Sequence, residues 1–111
     1  MAKRNNKNLK IIKRFLKKVS EEIEIDKVIL FGSAVRGRQK RWSDIDLAII
    51  SDDFKRVNNF ERLVMLGKMA WYADATEIEA LGYTKDEYKN ATKLDFLGEI
   101  KRTGKVIYKK T

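Results

Sequence analysis

Leu9, Ile12, Leu16, Val19 and Ile23 recur at spacings of three and four, which marks one apolar face of a helix. Lys10, Lys13, Arg14, Lys17 and Lys18 cover its other faces, so the segment reads as a basic amphipathic helix packed on a sheet. Lys27 to Phe31 is a short buried strand that ends at Gly32, and Ile45 to Ile50 is a second, closed by the polar turn Ser51-Asp52-Asp53. Asn58 or Asn59 caps a helix running to about Tyr72, with Phe60, Val64, Gly67 and Trp71 along one side. Thr76 to Tyr83 is a third strand, in which Ile78, Ala80 and Gly82 alternate with Glu77, Glu79 and Leu81. Thr84-Lys-Asp-Glu87 matches a capping box and starts a short helix. Leu94 to Arg102 continues as helix toward a C-cap at Gly104, and Val106-Ile-Tyr108 forms a small closing strand.

With a short helix after Gly32-Ser33, the order becomes αβαβαβαα plus the closing strand. That predicts an α/β (α+β) domain with a small sheet. The chain has 111 residues and no internal repeat, linker or low-complexity stretch. It is therefore expected to be a single domain over 1–111, with room for one core and none for a second catalytic domain.

Composition narrows the chemistry. There is no Cys, His or Pro, which excludes a disulfide scaffold, a zinc–thiolate site, a Cys nucleophile and a His general base. Carboxylates, hydroxyls, Lys, Arg, backbone groups and bound metal must do the work. Charged residues make up 37% of the chain and the formal net charge is +9. Residues 1–18, the run Arg36 to Arg41, and Lys101 to Lys110 hold 17 of the 25 basic residues, whereas every acid lies between Glu21 and Glu99. Such a balance suits a polyanionic partner (nucleotide, RNA or an acidic protein surface) and equally suits solvated chain ends. No run of 18 apolar residues and no unbroken apolar segment after the basic N-terminus occurs. The expectation is a cytoplasmic protein without a membrane span or signal peptide.

The chemistry concentrates in Phe31 to Leu47. Gly32-Ser33 directly follows a strand, and such a turn offers backbone N–H groups and a hydroxyl to an anion, with Gly permitting close approach. About ten residues on, Asp44 and Asp46 stand one residue apart at the start of a strand. Strand periodicity turns both carboxylates to one face and sends Ile45 and Leu47 to the core. Two like charges held that close are stabilised by a divalent cation, and carboxylate with phosphate oxygens is the donor set Mg²⁺ prefers. An anion-binding turn facing a two-carboxylate metal site outlines a site for a nucleoside triphosphate. The bland alternatives are an ordinary turn at Gly32-Ser33 and a solvated Asp-x-Asp; their joint occurrence in this context favours the functional reading. Trp42 reads as an aromatic packed beneath the loop, with base stacking as its alternative. Trp71 and Tyr72 read as core or interface.

This segment resembles the minimal nucleotidyltransferase (MNT) family of the DNA polymerase beta-like superfamily, through Gly32-Ser33, Arg36-Gly37 and Ser43-Asp44-Ile45-Asp46-Leu47. The resemblance implies a palm-like nucleotidyltransferase fold, a small mixed β-sheet flanked by helices. It also implies transfer of a nucleoside monophosphate, AMP from ATP, with two Mg²⁺ ions. By motif position Gly32, Ser33, Arg36 and Ser43 fall on the triphosphate, and Asp44 and Asp46 hold metal. The superfamily's third carboxylate, usually Asp, sits on a neighbouring strand and helps to activate the attacking hydroxyl. Glu77-Ile-Glu79 occupies that region here, and counting back from Tyr83-Thr84 selects Glu79 as catalytic residue and metal ligand. Glu departs from the common pattern. Arg38, Lys40 and Arg41 either assist the phosphates or are surface charge.

Stand-alone members of this family are commonly paired with a small helical HEPN protein as toxin and antitoxin, and the resemblance makes such a toxin the expected partner, modified on a hydroxyl. An antitoxin that neutralises its toxin by contact alone is the alternative that Glu at the third position keeps open. A basic RNA-binding module is a third reading, weakened by the scarcity of aromatics among the basic clusters. Self-association is left open.

Overall fold

The computed structural model describes the backbone of residues 2–32 and 45–111, and the side chains of 7–32 and 45–111. Helix α1 spans Ala2–Glu22, strand β1 Lys27–Phe31 and strand β2 Ile45–Ile50. A 3₁₀ turn at Asp52–Phe54 leads to helix α2, Asn59–Tyr72, and strand β3, Ile78–Tyr83. Helices α3 (Lys85–Asn90) and α4 (Phe96–Thr103) and strand β4 (Lys105–Lys109) complete the described elements. The short helix expected after Gly32 lies outside the described residues.

The sheet has the order β3-β2-β1-β4. Strand β1 runs antiparallel to β2 and β4, while β2 and β3 are parallel and joined through α2. This is the expected small mixed sheet flanked by helices. Its two faces are covered differently. Val28, Ile45, Leu47, Ile49, Ile78 and Ala80 pack against α1 and α2 in the larger core. On the other face Ile29, Ala48 and Ile50 pack beneath Leu97 and Ile100 of α4.

Helix α1 is rotated from its expected register. Leu9 is half exposed and Leu16 only partly buried, whereas Ile11, Ile12, Phe15 and Val19 form the buried stripe. Three adjacent apolar columns compete on this helix, and the sheet takes the one that buries the large ring of Phe15. Arg14, expected to cover a solvent face, donates to the carbonyls of Ala73 (3.2 Å) and Asp74 (2.6 Å). It thereby meets the carbonyl end of α2, where a cation is favoured.

Helix α2 departs further. The expected stripe of Phe60, Val64 and Trp71 faces outward, with Phe60 and Trp71 each 72% exposed, and Arg62, Leu66, Met69 and Ala70 are buried instead. Arg62 explains the rotation. Its guanidinium donates to Val57 O (2.7 Å), Phe54 O (2.8 Å), Gly82 O (3.2 Å) and the Glu87 carboxylate (2.7 Å). A buried cation with four acceptors satisfied costs far less than one left without them. The capping box at Thr84/Glu87 forms as the spacing predicts; of the two candidate caps of α2 it is Asn58 that is used, and it forms a second capping box with Glu61. Gly104 ends α4 in extended backbone; a Cβ there would lie 2.6 Å from both the Ile100 carbonyl oxygen and Ile29 Cγ2, so clearance requires the glycine.

Burial acts to raise the Glu87 pKa, but its hydrogen bonds to Arg62 and Thr84 outweigh that and hold the carboxyl below the ordinary glutamate value. A depressed carboxylate stabilises the fold above its unfolded pKa of about 4.3, and that contribution is lost as pH falls through the lower folded value. Replacing Arg62→Met is expected to cost about 3 kcal/mol, because buried carbonyls lose their donor. Glu87→Gln should cost less and flatten the acid limb of a denaturation profile; an Arg62→Met protein as stable as the parent would contradict this role.

Candidate active site at the open end of the sheet

Register places the site. Phe31 pairs with Asp46, and Asp46 pairs with Glu79, so these three side chains form one row on one face, at the edge where β1 ends and β2 and β3 begin. Two residues further along, Ile29, Ala48 and Leu81 form the next row on that face, and α4 covers it through Leu97 and Ile100. Of the first row, Phe31 packs at the margin of this cluster. Asp46 is the single position of β2 that is not fully buried, and Glu79 is exposed.

Gly32 follows β1 with φ 78°, in the left-handed region that suits glycine. A Cβ built there would fall 2.4 Å from Asp46 Oδ2. The backbone at Gly32 therefore approaches the Asp46 carboxylate more closely than any other residue type would allow. Ile45 and Leu47 point into the larger core with 1% and 0% exposure, as the alternation required. The backbone N–H of Ile45 donates to the Glu77 carbonyl at 2.8 Å, which fixes the start of the β2–β3 ladder.

Glu79, and not Glu77, stands beside Asp46: β3 begins at Ile78, and Glu77 lies in the preceding turn. Ser33, Arg36, Ser43 and Asp44 lie outside the described residues, as do Gly37, Arg38, Lys40, Arg41 and Trp42. Among the described residues no cluster of three or more carboxylates or other metal-binding side chains forms; Asp46 and Glu79 supply two, and Asp44 adjoins them in sequence. Two carboxylates on neighbouring strands, with a close approach at Gly32 that no side chain blocks, supply hard oxygen donors of the kind that suit Mg²⁺. No helix of the described residues is long and apolar enough to cross a membrane.

The reading of residues 27–31 as a short buried strand did not distinguish Phe31 as a wall of this row; its signal is its place directly before the glycine turn, one strand from Asp46. Tyr83, on the same face of β3, has its phenol pKa raised, first by burial and then by the nearby Glu87 charge, with Arg62 opposing.

Among solved structures, this fold is similar to one from Sulfolobus solfataricus described as that of a candidate nucleotidyltransferase. The TM-score is 0.64 at 20% identity, covering 91% of this chain and 79% of that one. It is also similar to a toxin–antitoxin structure with AMP-PNP, with a TM-score of 0.63 at 22% identity over 88% of this chain and 73% of that one. A toxin–antitoxin MntA-HpeT structure, a mutant with two Asp→Glu changes, gives 0.60 at 19% identity, over 88% and 72%. At these identities the likeness is one of fold. A comparison with curated proteins finds no significant match. Residues 12–107 match the nucleotidyltransferase domain, a span that takes in the glycine turn, the Asp46–Glu79 row and every strand as far as β4, and the chain belongs to that family.

Proposed function

We propose that this chain is a Mg²⁺-dependent nucleotidyltransferase that moves AMP from ATP to a hydroxyl of a partner protein, acting in the cytoplasm as the antitoxin of a pair whose toxin is a helical HEPN-type protein. The observation that carries the reading is the open row of Asp46 and Glu79 beside the glycine turn, in a chain of the nucleotidyltransferase domain family. The toxin–antitoxin character of two fold neighbours, one with AMP-PNP, supports the choice of nucleotide and partner.

In this reading Asp44, Asp46 and Glu79 hold two Mg²⁺ ions, and Gly32, Ser33, Arg36 and Ser43 cradle the triphosphate. The metal supplies charge neutralisation for the attacking and leaving oxygens. The acceptor oxygen attacks the α-phosphorus in line, its bond to the bridging oxygen of the β-phosphate breaks, and pyrophosphate leaves. Glu79, on the exposed edge strand, orients the acceptor hydroxyl and takes its proton. Nothing in this sequence of events needs a His or Cys. The acceptor docks on the rim of the row and brings its own contact area, on the order of 1,600 Å². The exposed lysines of α1 and the Arg36–Arg41 run suit an acidic patch on that partner. The complex is accordingly sensitive to salt.

Asp44→Asn with Asp46→Asn should abolish Mg²⁺-dependent ATP binding in calorimetry while leaving the protein folded, since the change removes two like charges from one face. Binding equal to the parent would reject the assignment. Glu79→Gln should slow transfer with little effect on ATP affinity, whereas Glu77→Gln should leave both intact. Gly32→Ala should cost about 1–2 kcal/mol for a side chain at positive φ and weaken ATP binding through displacement of Asp46. Mass spectrometry of a co-expressed HEPN-type partner should find an added AMP on a hydroxyl residue. A partner that binds stably yet stays unmodified would replace transfer by neutralisation through contact alone.

A further inference from the structure

Phe96 opens α4 with its ring 61% exposed, although Leu97 and Gly98 after it are buried. The ring meets Phe31 edge-on, with centroids 6.0 Å apart and planes at 82°. Phe31 is the register partner of Asp46 on the same sheet face. One phenyl ring therefore separates Phe96 from the carboxylate row, much as one ribose separates a nucleobase from its α-phosphate. This contact leaves more than half of the Phe96 surface exposed. Phe96 also lines a recess of about 390 Å³ together with Asn59, Phe60 and Leu63 of α2 and Leu81, Gly82 and Tyr83 of β3. The volume falls within the range of about 300–1,000 Å³ found for small-molecule sites. Leu81 is two residues from Glu79 on the same strand face, so the recess begins one row beyond Glu79 and extends toward Tyr83, with Phe96 as its link to Phe31 and the row.

We propose that Phe96 is the stacking platform for the nucleobase of the donor triphosphate. The inference rests on the nucleotidyl-transfer reading of the Asp46–Glu79 row. Every nucleobase has a π-face, so an aromatic platform in an apolar recess gives affinity without much choice among bases. Phosphate contacts and metal then fix the reacting end, and Phe96 fixes the other. Its position at the first turn of α4 is rigid because Leu97 and Ile100 anchor that helix in the core.

Calorimetry in Mg²⁺ with a non-hydrolysable adenosine triphosphate analogue and with inorganic tripolyphosphate separates base from phosphate. Phe96→Ala should weaken the nucleotide analogue roughly 5- to 100-fold, the loss of one stacking contact, and leave tripolyphosphate binding unchanged. Phe96→Trp should restore the nucleotide, and the guanosine analogue should follow the adenosine one. Equal losses for both ligands, or no loss for either, would overturn the platform. So would a wild type that binds nucleotide no better than tripolyphosphate, which leaves the metal and phosphate reading standing. A wild type that binds neither ligand rejects that reading, and the platform with it.

Discussion

Strand β2 carries apolar residues on both faces and a single carboxylate, and this arrangement fixes the register of the whole sheet. Ile45, Leu47 and Ile49 fill the core under α1 and α2, while Ala48 and Ile50 lie under α4. A slip of one residue would reverse every side chain and drive Asp46 into the larger core. Burying that carboxylate without a partner costs several kcal/mol, so the slipped pairing is excluded. The same constraint that builds the core thus holds Asp46 between Phe31 and Glu79.

The second face of the sheet is divided by where α4 begins. Its Leu97 and Ile100 close two rows of the face, and Phe96 meets Phe31 at the boundary with the third. Lys101 donates to the Tyr88 carbonyl at 2.8 Å, and the ammonium groups of Lys27 and Lys101 lie 4.5 and 4.7 Å from the centre of the Tyr88 ring. These contacts tie α3 and α4 to β1. A helix started one turn earlier would cover the carboxylates; one started a turn later would leave Ile29 and Ala48 open to water.

The guanidinium of Arg62 joins parts of the chain that no single hydrophobic cluster connects. It links the 3₁₀ turn at Phe54, the entry to α2 at Val57, the end of β3 at Gly82 and the capping box of α3 through Glu87. All four lie around the far end of β3 from Glu79. The edge strand that carries Glu79 is therefore held at its other end by a charged hub, and Tyr83 sits next to that hub.

Much of this was legible along the chain. The strand at residues 45–50, the alternation in 78–83, the asparagine cap of α2, the Thr84 capping box and the closing strand depend on neighbours two to four residues away, and such patterns survive any tertiary context. That Asp46 points away from the core while Ile45 and Leu47 enter it was legible for the same reason, because a strand turns alternate residues to one side. Helix faces were not. Phe15 displaced Leu16 in α1, and the cation of Arg62 took the buried side of α2 from Phe60, Val64 and Trp71, since a helix with several apolar columns is oriented by what it packs against. Strand order likewise depends on pairing between distant segments. Counting along the third strand chose Glu79 over Glu77, but only the tertiary fold paired Glu79 with Asp46 and turned Phe96 outward beside Phe31, because each is a question of register across strands and the sequence records register only within them.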